Sequence, residues 1–144
     1  MNPLAELLKK LLSDVVAFSI KTQKYHWNVE GPDFTQYHSF FADLYGEVNG
    51  SVDSIAELIR TLDVKSPGSL KEFLEMSSID EDVDPVDALS MVRDLLAEND
   101  KLLAVLYIVY KAAEDASEFG ISNFLQDRIQ AHEKHRWMLR AITK

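Results

Sequence analysis

Apolar residues return every three to four positions along almost the whole sequence, and they return in blocks. The first block is Leu4, Leu7, Leu8, Leu11, Leu12, Val15 and Phe18, the period of an α-helix with one buried face. Asn2 precedes it as a cap and Pro3 takes its first position, so the spacing predicts a helix to about Asn28, stopped by Gly31-Pro32. A second row runs through Phe34, Tyr37, Phe41, Leu44, Val48, Val52, Ile55 and Ile59. It predicts one long helix from near Asp33 to about Leu62. Beside it lies a row of Gly46, Gly50, Asp53 and Glu57. Glycine inside a helix is unfavourable by roughly 1 kcal/mol against alanine, so two of them one turn apart mark a place where another backbone comes close. Ser66-Pro67-Gly68 breaks the pattern, and Ser69-Leu70-Lys71-Glu72 has the form of a capping box for a short helix through about Met76. An acidic loop from Ser78 to Val83 follows. Asp84-Pro85 predicts the next helix by the same cap-then-proline logic, with Leu89, Val92, Leu95, Leu96, Leu103, Leu106 and Val109 as its apolar positions. A final helix begins around Ser117 to Ser122 and reaches about Ile142.

Four long helices with one short helix between the second and third predict an all-α fold, a four-helix bundle. The connection from about Asp63 to Val83 is long enough to cross the bundle from end to end. There is no internal repeat and no low-complexity segment. At 144 residues and 47% hydrophobic composition the chain reads as one globular domain over residues 1–144. No apolar run has membrane-spanning length, and Met1-Asn2-Pro3-Leu4 does not open a signal peptide. The absence of cysteine excludes a disulfide scaffold and thiolate metal sites, and makes a cytoplasmic location the expectation. The net charge of −9 argues against general attraction to nucleic acid or anionic membrane and is compatible with cation handling.

The candidate chemistry is two imidazoles and two carboxylates: His26, His38, Asp53 and Glu57. Such a set suits iron or another first-row divalent metal. Asp53 and Glu57 are four residues apart and project from one helix face about 6 Å apart. His38 lies on the same predicted helix but 15 residues before Asp53, roughly 22 Å along a straight axis. His26 ends the first helix, across the Gly31-Pro32 turn from His38. The histidines can therefore meet at one end of a helical hairpin, while the carboxylates lie toward the other. Either the two pairs are unrelated or a second subunit joins them. A two-fold axis between antiparallel copies of the second helix would place one chain's histidines over the other's carboxylates and generate two equivalent sites. An intrachain di-iron site would instead need Glu-x-x-His on inner faces. The residues three before each histidine are Gln23, Thr35, Ile129 and His132, none of them glutamate. His132 and His135, three apart on the last helix beside Glu133, are the other candidates for binding metal, although histidines near a helix end are usually surface groups.

The run Tyr25-His26-Trp27-Asn28-Val29-Glu30-Gly31-Pro32-Asp33-Phe34, then His38, then Asp53-Ser54-Ile55-Ala56-Glu57-Leu58-Ile59-Arg60 resembles the signature of the mini-ferritins known as DNA-protection-during-starvation (Dps) proteins. The closing His132-Glu133-Lys134-His135-Arg136-Trp137-Met138-Leu139-Arg140-Ala141 is similar to that family's last helix, so the resemblance spans nearly the whole chain. It implies a ferritin-like bundle assembled as a dodecameric hollow shell, with di-iron ferroxidase sites at the two-fold interfaces. There iron(II) is oxidised, by preference with hydrogen peroxide, and stored as a ferric mineral. By position, His26 and His38 would be ligands from one subunit and Asp53 and Glu57 from its partner, with Glu57 as the bridging carboxylate. Trp27 matches a family tryptophan near the site that intercepts radicals; an aromatic anchor at the helix end is an equal alternative.

Three departures qualify the resemblance. The family usually carries an aspartate ligand four residues after the second-helix histidine; here that position is Ala42, and Asp43, next to it, points about 100° away. The acidic stations of the family's three-fold pore correspond to Glu118, Asn123 and Asp127, where Asn123 replaces a frequent aspartate. The expectation is almost no counterpart to the lysine-rich terminal tail that often supports DNA binding, since helix signals begin at Asn2 and end near Lys144. The expectation is therefore an iron-oxidising storage shell. Its rivals are a metal-binding shell with weak or lost oxidation and a DNA-compacting protein.

Overall fold

The computed structural model describes residues 1–144. Its helices are α1 Pro3–Asn28, α2 Phe34–Asn49, α3 Val52–Thr61, α4 Leu70–Met76, α5 Ala88–Asp115 and α6 Phe119–Ile142. α2 and α3 make one interrupted rod, so four long rods form the bundle and short α4 sits in the long connection. α1 is central: it packs along α2, α3, α4 and α5, while α5 pairs with α6. Asn2 caps α1 by accepting the Ala5 N–H at 3.1 Å. The stripe residues Leu4, Leu8, Leu11, Leu12, Val15 and Phe18 are all buried against the other rods. No helix is long and apolar enough to cross a membrane.

The second rod is not the unbroken helix that the apolar period predicts. Its ladder is disturbed between Asn49 and Val52. Ser51 directs both its N–H (3.1 Å) and its hydroxyl (2.7 Å) at the Val48 carbonyl, a tightened turn of the kind serine favours within helices. Gly50 and Ser51 keep right-handed helical angles, so the rod carries on beyond the break. The glycine row also differs from expectation. A Cβ at Gly46 would meet nothing within 4 Å, and one at Gly50 would meet only the carbonyls of Gly46 and Glu47. Within the chain no other backbone approaches, and the row is open surface.

The fifth helix begins at Ala88, not at Asp84-Pro85. Asp87 is the working cap: one carboxylate oxygen accepts the Ser90 N–H at 2.8 Å and the other its hydroxyl at 3.0 Å. Asp84 pairs instead with Lys24 at 3.1 Å on the surface. The capping box of α4 forms as its sequence predicts, with Ser69 Oγ and Glu72 Oε1 each accepting the other's backbone N–H at 3.1 Å.

The crossing connection is held by two buried carboxylates of the bundle. Asp14, on α1, accepts the Ser78 N–H at 2.7 Å and the Ser77 hydroxyl at 3.1 Å. Glu98, on α5, accepts the Asp80 N–H at 3.1 Å. Between these anchors Ile79 is buried in the core.

Candidate metal centre

The α1–α2 turn brings two histidines face to face. α1 ends where the Val29 N–H closes on the Tyr25 carbonyl at 3.0 Å. Gly31 then takes φ +103°, which favours glycine, and Asp33 enters α2 at φ 63°. Across this turn the rings of His26 and His38 stack at 3.8 Å with planes 15° apart. His26 Nδ1 lies 2.7 Å from the His38 carbonyl, and His38 Nδ1 lies 2.6 Å from the His26 carbonyl. A carbonyl oxygen only accepts, so Nδ1 carries the hydrogen in both rings. In the neutral imidazole this leaves the lone pair on Nε2, where a metal would bind, and it fixes ring orientation before any metal arrives. Phe34 extends the stack, 5.0 Å from His38. Trp27, beside His26, is largely exposed.

Behind His26 the hairpin is tied to α5. The buried Tyr25 donates its hydroxyl to Asp94, which also pairs with Lys21 at 2.8 Å. Burial, and then the Asp94 carboxylate, hold the Tyr25 phenol well above its ordinary titration range. This side chain therefore stays a proton donor to Asp94 throughout the physiological range.

Asp53 and Glu57 stand one turn apart on α3, both exposed. No single-chain cluster of three or more histidine or acidic side chains could hold a metal ion. The chain thus keeps the histidine pair and the carboxylate pair apart, as helix rise requires. Ala42 is half-buried and Asp43 exposed on α2. Glu118 occupies the position before α6 without capping it, and Asn123 and Asp127 are exposed one turn apart on that helix.

A second polar cluster surrounds His132 and His135. His132 and His135 are not surface groups: their exposures are 0% and 5%. Glu47, reaching in from α2, receives both Arg128 terminal nitrogens, at 2.6 and 2.9 Å, and His135 Nε2 at 2.6 Å. His132 Nδ1 donates to the Asn99 side-chain oxygen at 2.8 Å, and the Asn99 amide donates to the His132 carbonyl at 2.9 Å. The hydrogen bond from His135, assisted by Arg128, drives the Glu47 carboxyl well below the ordinary range. Burial, together with the Arg128 and His135 charges, pushes His132 down to about 3.

Comparison with known proteins agrees with this architecture. Residues 5–144 match the Ferritin family, a ferritin-like domain. The chain is 34% identical over 137 residues to DNA protection during starvation protein 2 of Bacillus anthracis, covering 95% of this chain and 94% of that one. It is 32% identical over 139 residues to the DNA protection during starvation protein of Brevibacillus brevis, covering 96% and 93%. The crystal structure of the Dps protein of Vibrio cholerae O1, described as a member of a broad superfamily of ferritin-like diiron-carboxylate proteins, superposes with a TM-score of 0.94 at 31% identity over 98% of this chain and 89% of that one. With that fold, that extent of match and the histidine hairpin together, this chain belongs to the Dps family of the ferritin-like superfamily.

Proposed function

We propose that this protein takes iron(II) as substrate at sites shared between paired subunits, oxidises it with hydrogen peroxide, and holds the ferric product inside a dodecameric shell. The observation that carries this reading is the division of one plausible ligand set into two halves. His26 and His38 form a preorganised pair with Nε2 free of partners at one end of the hairpin. Asp53 and Glu57 form an exposed pair without ion-pair partners about 22 Å away. Neither half alone is a site, and a two-fold axis with antiparallel α2–α3 rods makes each half complete the other twice. The open glycine row on that rod, and the exposed Ile20, Leu70 and Leu74 beside the α1–α4 groove, support contact with a second copy of the chain.

The chemistry follows from the donor types. Two iron(II) ions each give one electron to hydrogen peroxide, whose O–O bond breaks, and hydrolysis of the ferric product releases protons. Asp53 and Glu57 favour this direction, because two carboxylates stabilise a trivalent ion more than a divalent one. The fixed imidazoles bind without ring reorientation. Peroxide and iron(II) are consumed together, and this is how the chain would serve the iron oxidation and DNA protection with which its family is associated. With −9 net charge, protection through direct DNA binding is disfavoured. One observation favours a second reading with weakened oxidation: Ala42 offers no oxygen ligand where the family usually has aspartate.

Mixed assembly tests the shared site. His26→Ala/His38→Ala chains and Asp53→Ala/Glu57→Ala chains should each fail to accelerate peroxide-driven iron(II) oxidation in stopped flow. Reassembled in equal amounts with random pairing, half of the dimers are mixed and each holds one intact site of two. The rate should then recover to about a quarter of the parent's. No recovery in properly assembled mixtures would refute the shared site, and unimpaired single variants would refute the ligand assignment.

A further inference from the structure

We propose that Arg128 keeps metal ions out of one part of the fold: its guanidinium occupies a Glu47/His132/His135 donor set between α2 and α6 and so denies that set to metal ions. The three groups converge from two rods, α2 and α6. Arg128 Nη2 lies between two of them, 2.9 Å from Glu47 Oε1 and 3.2 Å from His132 Nε2, and His135 Nε2 is 2.6 Å from the same Glu47 oxygen. Nη2 therefore stands close to where a metal would have to sit to reach the carboxylate and His132. The Asn99 side chain fixes His132 with hydrogen on Nδ1, leaving the Nε2 lone pair to accept from Arg128. Two imidazoles and a carboxylate, with one imidazole held by an amide behind it, are the donor set of three-ligand zinc sites.

A route exists as well. A polar cleft beside the α2–α3 break, lined by Gly46, Ser51 and Asp127, leads to Glu47 and Arg128. What closes the site is charge. A guanidinium does not deprotonate at any physiological pH. A divalent ion would have to break its two-pronged bond to Glu47 and then sit against it. Ferritin-like di-iron proteins place their metals among facing helices of the bundle core. In this chain the donors between α2 and α6 already hold a cation, the Arg128 guanidinium, and the folded chain has no cluster of three or more histidine or acidic side chains open to a metal ion. Arg128 closes this donor set whether or not the subunit interface binds iron.

The test uses full-length chains carrying His26→Ala and His38→Ala, which removes the hairpin ligands, and Co2+ alone as the probe. With Arg128 present, equilibrium dialysis at micromolar Co2+ should show no bound ion that depends on Glu47. With Arg128→Ala, or Arg128→Met to keep the bulk, about one Co2+ per chain should bind, with the intense visible bands of a four-coordinate site. Arg128→Lys should stay closed, and Glu47→Gln added to Arg128→Ala should abolish binding. A helical Arg128→Ala or Arg128→Met chain that takes up no Co2+ overturns the proposal, as does Glu47-dependent Co2+ binding while Arg128 is in place. If both variants lose helical circular dichroism without metal, recovery of the helical signal at stoichiometric Co2+ supports the proposal, and failure to recover overturns it.

Discussion

Lowering the pH from 7 to 5 should destabilise this protein by about 2 kcal/mol per chain through His132 alone. The imidazole is fully buried, and its folded pKa is pushed down to about 3, first by burial and then by the charges of Arg128 and His135. In the unfolded chain it returns to about 6.5. Between those values the unfolded state holds the extra proton, so stability falls as pH drops through about 6.5 and continues to fall toward the folded value. Integrating from pH 7 to 5 gives about 2 kcal/mol. That figure is set by the unfolded value, since any folded value below about 4 leaves it unchanged. Glu47 does not interfere in this window. Its carboxyl is depressed in the folded state, so its contribution is complete above the ordinary carboxylate range and is lost only as pH falls below that range. The assay is denaturant unfolding followed by circular dichroism at pH 7, 6 and 5, at fixed protomer concentration, comparing the parent with His132→Gln. The variant is less stable at pH 7, but its stability should change with pH by one proton less per chain. Identical pH slopes for the two chains would refute the assignment of His132 as a buried neutral imidazole.

Asp87→Ala should lower stability by about 1 kcal/mol through loss of the α5 cap, while Asp84→Ala should stay within about 0.5 kcal/mol because its pair with Lys24 is exposed; equal losses, measured by thermal and denaturant unfolding, would place the helix start at Asp84 after all. Ala42→Asp should raise the initial rate of peroxide-driven iron(II) oxidation in stopped flow, and an unchanged rate would show that nothing is missing at that position.

The rods were legible because burial imposes a period, which Leu4 to Phe18 repeat without interruption and Leu89 to Val109 repeat with one polar step at Asn99. Boundaries set by one side chain were harder to read. Asp84-Pro85 and Asp87 are both plausible caps, and the choice rests on which carboxylate reaches the Ser90 amide. The disturbance after Asn49 comes from one serine hydroxyl taking the Val48 carbonyl, a competition that hydrophobic spacing does not register. At the candidate site, the separation of histidines from carboxylates followed from helix rise alone. The Glu47 cluster escaped because its partners lie 81 to 88 residues apart in sequence. A signal was nevertheless present: Ser122, Leu125, Arg128, His132, His135 and Leu139 follow one another at three- and four-residue steps, and all are buried. The two histidines thus stand in the same inward row as two leucines, and reading that row as a unit places them in the core.

The connection between the second and third rods has little regular structure around Ser78 to Asp80, yet its amides end on carboxylates rooted in α1 and α5. Its opening is therefore coupled to exposing Asp14, Glu98 and the Ile79 side chain, and not to the fraying of a free loop. Amide exchange at Ser78 and Asp80 should track the unfolding of the bundle, and a protease should find its first cut elsewhere along the crossing segment. A stretch that looks like slack in the chain works as a strap, fastening the first rod to the fifth helix across the end-to-end span.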